Sequence, residues 1–252
     1  MDITSYLLGK KSSGGGGGST LDWTAIGYSE EPQGVDDIVP NGYNVAKDIY
    51  DNWDNTITTC SNLYANTANI IWFPVVDTSN VTTTQNMFNN CQTLQKFPEL
   101  DFSQLKTLTS MFNGCKNLKE VGDIITTQLS ATFNMGSMFL DCVSLETAPM
   151  IKNVDGYTDI GMAFKNCTSL KNVPLLDVGT GRGFSYMTNA FQNCPLLTNE
   201  SLNNILGIIK NAYSVASTKT LANIGLSEAQ ATICTQLSNW SAVQAKGWTT
   251  GY

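Results

Sequence analysis

The segment Met111-Phe112-Asn113-Gly114-Cys115-Lys116-Asn117-Leu118 decides the fold, because it returns along the middle of the chain. Related copies are Met87-Phe88-Asn89-Asn90-Cys91 with Leu94, Met138-Phe139-Leu140-Asp141-Cys142 with Leu145, Ala163-Phe164-Lys165-Asn166-Cys167 with Leu170, and Ala190-Phe191-Gln192-Asn193-Cys194 with Leu197. A degenerate copy is expected to end in Cys60-Ser61-Asn62-Leu63. Successive cysteines from Cys91 to Cys194 are 24, 27, 25 and 27 residues apart. That period belongs to repeats of one short strand plus a turn, too short for a helical hairpin repeat. The expected fold class is therefore α/β: a leucine-rich repeat solenoid with short parallel strands, an N-terminal helical cap and a C-terminal α-helical cap.

Alignment of the copies assigns inside and outside. Ile70-Ile71-Trp72-Phe73-Pro74-Val75-Val76-Asp77 matches Leu94-Gln95-Lys96-Phe97-Pro98-Glu99-Leu100-Asp101 without gaps, and Leu118–Ile124, Leu145–Ile151 and Leu170–Leu176 follow. Phe97 and Leu100 take inward positions and Lys96 and Glu99 outward ones. Proline recurs at 74, 98, 149 and 174, with Gly122 in the remaining copy. Proline donates no ladder hydrogen bond, so the strands must be short and end near it. Asn90, Gly114, Asp141, Asn166 and Asn193 precede the cysteines. These residue types tolerate positive φ, which implies a helical turn closed by a left-handed residue. Met, Phe, Cys and Leu of each copy then form interior ladders.

The flanks divide the chain into residues 1–19, a peptide and glycine-rich linker; 20–55, an N-terminal cap; 56–197, the repeats; and 198–252, a helical C-terminal cap. Ile3, Tyr6, Leu7 and Leu8 give the first residues an apolar face, and Gly9 is placed to stop a short helix. The Gly-rich run 14–18 is expected to carry no fixed structure of its own. Such a segment is either an idle leader or a docking peptide that orders on another protein. Val45, Ala46, Ile49, Tyr50 and Trp53 fall on one face of a cap helix. Leu202, Ile205, Leu206, Ile209 and Tyr213 form a longer apolar stripe on a helix over Asn199–Tyr213. Ser227 and Gln230 form a capping box for a helix running through Leu237, and a third helix over Asn239–Lys246 ends at Gly247.

Composition excludes several functions. The chain has 252 residues, Lys+Arg 14 against Asp+Glu 21, net charge −7 and no histidine. It has no basic surface for nucleic acid, no apolar run long enough for membrane insertion and no secretory h-region. Seven cysteines, an odd number without a Cys-x-x-Cys pair, fit neither a secreted disulfide framework nor a zinc site. They read as buried reduced thiols, although neighbouring coils would bring equivalent cysteines close enough to bridge. Without histidine a Ser or Cys nucleophile lacks its commonest base. Gly179-Thr180-Gly181-Arg182-Gly183 lacks the glycine and lysine spacing of a phosphate loop. Glu30, Glu31, Asp36 and Asp37 lack the alternation of a calcium loop. No catalytic residue, metal or cofactor is expected, and binding is the remaining class.

The run Asp77-Thr78-Ser79-Asn80-Val81-Thr82 with Met87-Phe88-Asn89-Asn90-Cys91 and Leu94 resembles the BspA-like leucine-rich repeats of bacterial surface proteins. The resemblance covers about residues 56–197, with Ala163 and Ala190 in place of Met and insertions near Thr126–Asn134 and Gly179–Gly183. Met1-Asp2-Ile3-Thr4-Ser5-Tyr6-Leu7-Leu8-Gly9-Lys10-Lys11 and the glycines after it look like the N-termini of virion proteins from phages of gut bacteria. The flanks Leu21–Tyr28 and Gly247–Tyr252 look like those of repeat proteins from the same phages. These resemblances imply a non-enzymatic virion fibre or decoration protein, made in the host cytoplasm and exposed on the particle. It would contact other virion proteins through Ile3, Tyr6, Leu7 and Leu8, form a homo-oligomer, and bind a bacterial surface glycan or protein. The alternative is a bacterial cell-surface leucine-rich repeat adhesin. The expected ligand face comprises Trp72, Val75, Lys96, Glu99, Glu120, Asp123, Met150 and Leu175. Its Trp72–Val75 end is either an interface or is covered by the cap helix.

Overall fold

The computed structural model describes residues 42–126, 132–152, 157–175, 184–211 and 218–252. The expected helix over the first residues, the docking side chains and the Gly179–Gly183 run lie outside them.

Helix α1 (Gly42–Asp51) opens the described chain. Strands β1 (Lys96–Phe97), β2 (Leu100–Asp101), β3 (Glu120–Val121), β4 (Ile124–Ile125), β5 (Thr132–Asn134), β6 (Ile151–Lys152), β7 (Tyr157–Asp159) and β8 (Phe184–Tyr186) follow. Helices α2 (Asn199–Asn211), α3 (Glu228–Cys234) and α4 (Trp240–Ala245) end it, giving a mixed α/β structure. Every strand pair is parallel and joins one repeat to the next: β1–β3, β2–β4–β6 and β5–β7–β8. Strands of two or three residues are what the recurring proline and the tight turns permit.

Each repeat passes its Met-Phe segment as consecutive turns, with no helix. Cys91 N–H donates to Phe88 O at 3.0 Å and Asn89 N–H to Asn86 O at 3.1 Å. The expected left-handed residues are present, with φ 59° at Asn90, 76° at Gly114, 63° at Asp141, 63° at Asn166 and 60° at Asn193. A second positive-φ position precedes the Leu, Met or Ala that opens each copy, at Asn62, Asn86, Ser110, Ser137, Met162 and Asn189. Two left-handed residues four apart fold the segment back before a helix can propagate, which corrects the expected helical turn.

The interior consists of ladders. Phe88, Phe112, Phe139, Phe164 and Phe191 stack at centroid distances of 5.7, 5.4, 5.3 and 5.5 Å, and Tyr64 extends the stack to Phe88 at 5.5 Å. Stacked rings add to the area they remove from water. Beside them each thiol donates to the ring residue's carbonyl in the preceding repeat. Cys91 reaches Tyr64 O (2.9 Å), Cys115 Phe88 O (3.1 Å), Cys142 Phe112 O (3.1 Å), Cys167 Phe139 O (3.1 Å) and Cys194 Phe164 O (3.0 Å). All seven cysteines are free and buried.

This pattern moves the first repeat. Tyr64 N–H donates to Met87 O and Asn66 N–H to Asn89 O, so Leu63-Tyr64-Ala65-Asn66-Thr67 is the copy equivalent to Met87–Cys91. Thr67 takes the cysteine position, and Cys60 pairs with the Thr83–Thr84 region instead. The degenerate copy expected to end in Cys60-Ser61-Asn62-Leu63 is therefore corrected: its cysteine position is occupied by a threonine. Thr67 Oγ1 is buried without a hydrogen-bond partner.

The caps close both ends. Ala46 and Ile49 of α1 are buried, whereas Tyr50, expected on the same face, is 41% exposed. Trp53 packs edge-on to Phe73 at 5.9 Å and donates from Nε1 to Asp77 O at 2.7 Å. At the other end Ser201 Oγ donates to Lys171 O and accepts from Val173 N–H, and Asn204 Nδ2 donates to Val173 O. These bonds dock α2 on the exposed edge of the last repeat, with Leu202, Ile205, Leu206 and Ile209 buried beneath it. The capping box of Ser227 and Gln230 is formed. α3 ends at Cys234, short of Leu237, because Gln236 and Leu237 turn with i→i−3 bonds.

Candidate functional site

The expected ligand face follows the strand register. Trp72 bridges Lys96, and Lys96 pairs with Glu120. Further along, Thr147 bridges Asn172. Lys96 Nζ lies 4.8 Å from the centre of the Trp72 ring and 2.8 Å from Glu120 Oε2. One cation thus covers the indole of the preceding repeat and pairs with the carboxylate of the next, an arrangement in which charge–ring attraction and ion pairing reinforce each other. Lys171 Nζ and Glu146 Oε2 form a second cross-repeat pair at 2.8 Å.

Between these pairs lies a cavity of about 690 Å³. Lys96, Glu99, Lys119, Glu120, Glu146 and Thr147 supply its polar lining, and Phe97, Pro98, Val121 and Gly122 its apolar part. Gly122 is required here. A Cβ on it would lie 2.1 Å from Glu99 N and 2.5 Å from Pro98 C, so the strand of one repeat rests directly on the backbone of the next. The signal in the sequence was the replacement of proline by glycine in this copy.

The face is not continuous. Of the expected residues, Lys96, Glu99 and Glu120 line the cavity, and Trp72, Val75, Asp123, Met150 and Leu175 do not. Trp72 is half-buried under Lys96, and Val75 is partly buried against the interior. The apolar end expected from sequence is therefore not an open patch. Asp123 Oδ1 accepts from Met150 N–H at 3.1 Å, which ties two of the expected residues together. Leu175 is 44% exposed and borders α2, where its Cδ1 would lie 3.0 Å from a Cβ on Gly207.

Chemically the site can bind through mixed charge and apolar contact. The thiols are withdrawn from it: burial pushes Cys91 and Cys194 up to about 12 and raises Cys115, Cys142 and Cys167 well above an ordinary thiol. Nucleophilic chemistry needs the thiolate. Among the described residues no group of three or more Cys, Asp or Glu side chains is placed to hold a metal ion, and no helix is long and apolar enough to cross a membrane.

A family model described as "Mycoplasma protein of unknown function, DUF285" matches residues 58–177. No curated protein matches the chain. Among solved structures, the chain is similar to a leucine-rich repeat protein from Bacteroides ovatus, with 21% identity over 55% of this chain and a TM-score of 0.39. The similarity covers 32% of that protein, so the chain spans about a third of its length.

Proposed function

We propose that this chain is a non-enzymatic binding protein, a BspA-like leucine-rich repeat solenoid carried on the outside of a bacteriophage particle as a fibre or decoration component. Its N-terminal peptide docks to the virion through Ile3, Tyr6, Leu7 and Leu8, and its repeats present outward side chains to the bacterial surface. The observation that carries the binding reading is the cross-repeat row Trp72–Lys96–Glu120 beside a cavity of about 690 Å³. Successive repeats in parallel register set outward side chains in rows, while every thiol is committed to the interior. Repeat arrays build extended binding surfaces in this way. Many weak contacts from several copies on one particle combine into avidity. The virion half of the reading rests on the resemblance of the N-terminal peptide and of the flanks Leu21–Tyr28 and Gly247–Tyr252.

Cross-linking mass spectrometry on purified phage particles tests it. Links from Lys10 or Lys11 to a capsid, portal or tail protein are the expected result. Absence of the chain from particles, or its presence on the bacterial envelope, overturns the virion reading in favour of a cell-surface adhesin.

A further inference from the structure

A second outward row runs along the repeats away from the Lys96 cavity. Thr59 bridges Thr83, Thr107 bridges Asn134, and Asn134, Asp159 and Tyr186 are register partners across β5, β7 and β8. Two residues further on lie Ser61, Gln85, Thr109, Gly136, Gly161 and Thr188. In the first repeats these side chains satisfy one another: Ser61 Oγ and Thr83 Oγ1 are 3.2 Å apart, and Thr107 Oγ1 and Thr109 Oγ1 are 2.8 Å apart.

From Asn134 onward the row changes character. Asn134 Oδ1 accepts from Gly136 N–H and Asp159 Oδ1 from Gly161 N–H, both at 2.8 Å. These bonds fix both side chains and leave Asn134 Nδ2 as a donor and Asp159 Oδ2 as an acceptor. The two groups are adjacent, since a Cβ on Gly136 would lie 3.1 Å from Asn134 Oδ1 and 3.7 Å from Asp159 Oδ1. A Cβ on Gly161 would lie 3.2 Å from Asp159 Oδ1 and only 2.4 and 2.5 Å from Tyr186 Cδ1 and Cε1. The tyrosine ring therefore fills the space of the missing side chain, beside the carboxylate, and is 49% exposed.

The neighbouring residue, Met162, adds an apolar side chain. Met162 has φ 55° where the other repeats carry Asn62, Asn86, Ser110, Ser137 and Asn189. Asn takes that conformation readily and an unbranched apolar residue does not. Met162 is nevertheless held there, 36% exposed, with its N–H bonded to Thr188 O at 3.0 Å. The repeat turn imposes this backbone in every copy, so the departure lies in the side chain, an exposed methionine where the other copies carry Asn or Ser.

We propose that Tyr186, Met162, Asp159 and Asn134 form a binding platform for an uncharged pyranose ring of a glycan. A pyranose presents a C–H face, which suits the tyrosine ring and the methionine, and a rim of hydroxyls. Each hydroxyl both donates and accepts, as Asp159 Oδ2 and Asn134 Nδ2 require. An apolar peptide would leave the carboxylate and amide unused. An acidic sugar or a phosphate would be repelled by Asp159 and by a chain of net charge −7. The platform stands apart from the Lys96 cavity and does not depend on virion attachment.

Saturation-transfer NMR on the full chain with the methyl glycosides of glucose, galactose, mannose and N-acetylglucosamine is the test. Transfer to the ring C–H protons of at least one glycoside is expected. Tyr186→Ala should weaken that binding about tenfold, the scale of one stacked ring, while Tyr186→Phe retains it. Asp159→Asn should weaken it several-fold and Glu120→Gln leave it unchanged. Near-UV circular dichroism verifies that each variant is folded. Absence of transfer to every glycoside, or transfer that survives Tyr186→Ala, overturns the proposal. Loss in Glu120→Gln with Tyr186→Ala unaffected would overturn it by moving the saccharide to the Lys96 cavity.

Discussion

Alkaline pH should dissolve this fold through its thiol ladder. Burial raises Cys91 and Cys194 to about 12 and lifts Cys115, Cys142 and Cys167 well above an ordinary thiol. In the unfolded chain each releases its proton near pH ~8.5. Below that value both states hold the proton, and the ladder makes stability independent of pH. Above it the unfolded chain binds fewer protons than the native one, so stability falls, by about 1.4 kcal/mol per pH unit for each thiol until the native value is reached. For the five ladder thiols, roughly one unit above the unfolded value removes about 7 kcal/mol, comparable with the whole stability of ~5–15 kcal/mol typical of a domain. Guanidinium unfolding followed by tryptophan fluorescence, in reductant, from neutrality to about pH 10, should show a plateau and then a steep decline. Cys60 and Cys234 are likewise buried and raised to about 12, so the double variant Cys142→Ala/Cys167→Ala should lose about two sevenths of the thiol share of that slope, which separates the thiols from lysine and tyrosine titration. An unchanged slope in the double variant, or native thiolate absorbance rising with an ordinary midpoint, refutes the reasoning.

Two substitutions probe the stacking itself. Gly122→Ala puts a Cβ 2.1 Å from Glu99 N and 2.6 Å from Glu99 Cα, backbone atoms that cannot step aside. It should cost about 3 kcal/mol or more and lower Tm by roughly 6–12 °C in a thermal melt. Gly114 interrupts a row of side-chain amides in which Asn90 Nδ2 donates to Asn66 Oδ1 and Asn166 Nδ2 donates to Asp141 Oδ1. Its Cβ would meet Asn90 only at ordinary contact, 3.4 Å. Gly114→Asn alone should be nearly neutral, because its Oδ1 would face the Asp141 carboxylate. Combined with Asp141→Asn it should stabilise by about 1 kcal/mol in a denaturant double-mutant cycle.

Much of the interior was legible because the repeat states each inward position several times. Met, Phe, Cys and Leu at one spacing predict ladders, and Asn90, Asp141 and Asn166 before the cysteines predict left-handed turns. What escaped was whatever departs from the consensus. The first repeat carries Thr67 where the others carry cysteine, so alignment on Cys60 misplaces that copy by seven residues. The second left-handed position is filled by Asn, Ser and Met, too varied to read as one conformation. Trp72 and Val75 look exposed in sequence because they align with Lys96 and Glu99 of the next copy. Only the structure shows Lys96 lying over the indole. The Asn134–Asp159–Tyr186 row is spread over copies with insertions, so neither spacing nor residue type joins its members before the strands are paired.

The account stands on the register that sets Lys96 beside Glu120. Its most direct test is disulfide formation in the double variant Lys96→Cys/Glu120→Cys under mild oxidant, followed by non-reducing mass spectrometry. Partners in adjacent parallel strands lie about 5 Å apart, within the span a disulfide bridges, so an intramolecular cross-link should form quickly and leave the native thiols reduced. The control pair Lys96→Cys/Thr147→Cys, two repeats apart, should not cross-link. Equal rates for the two pairs, or no cross-link in the first, would contradict the stacked-repeat structure.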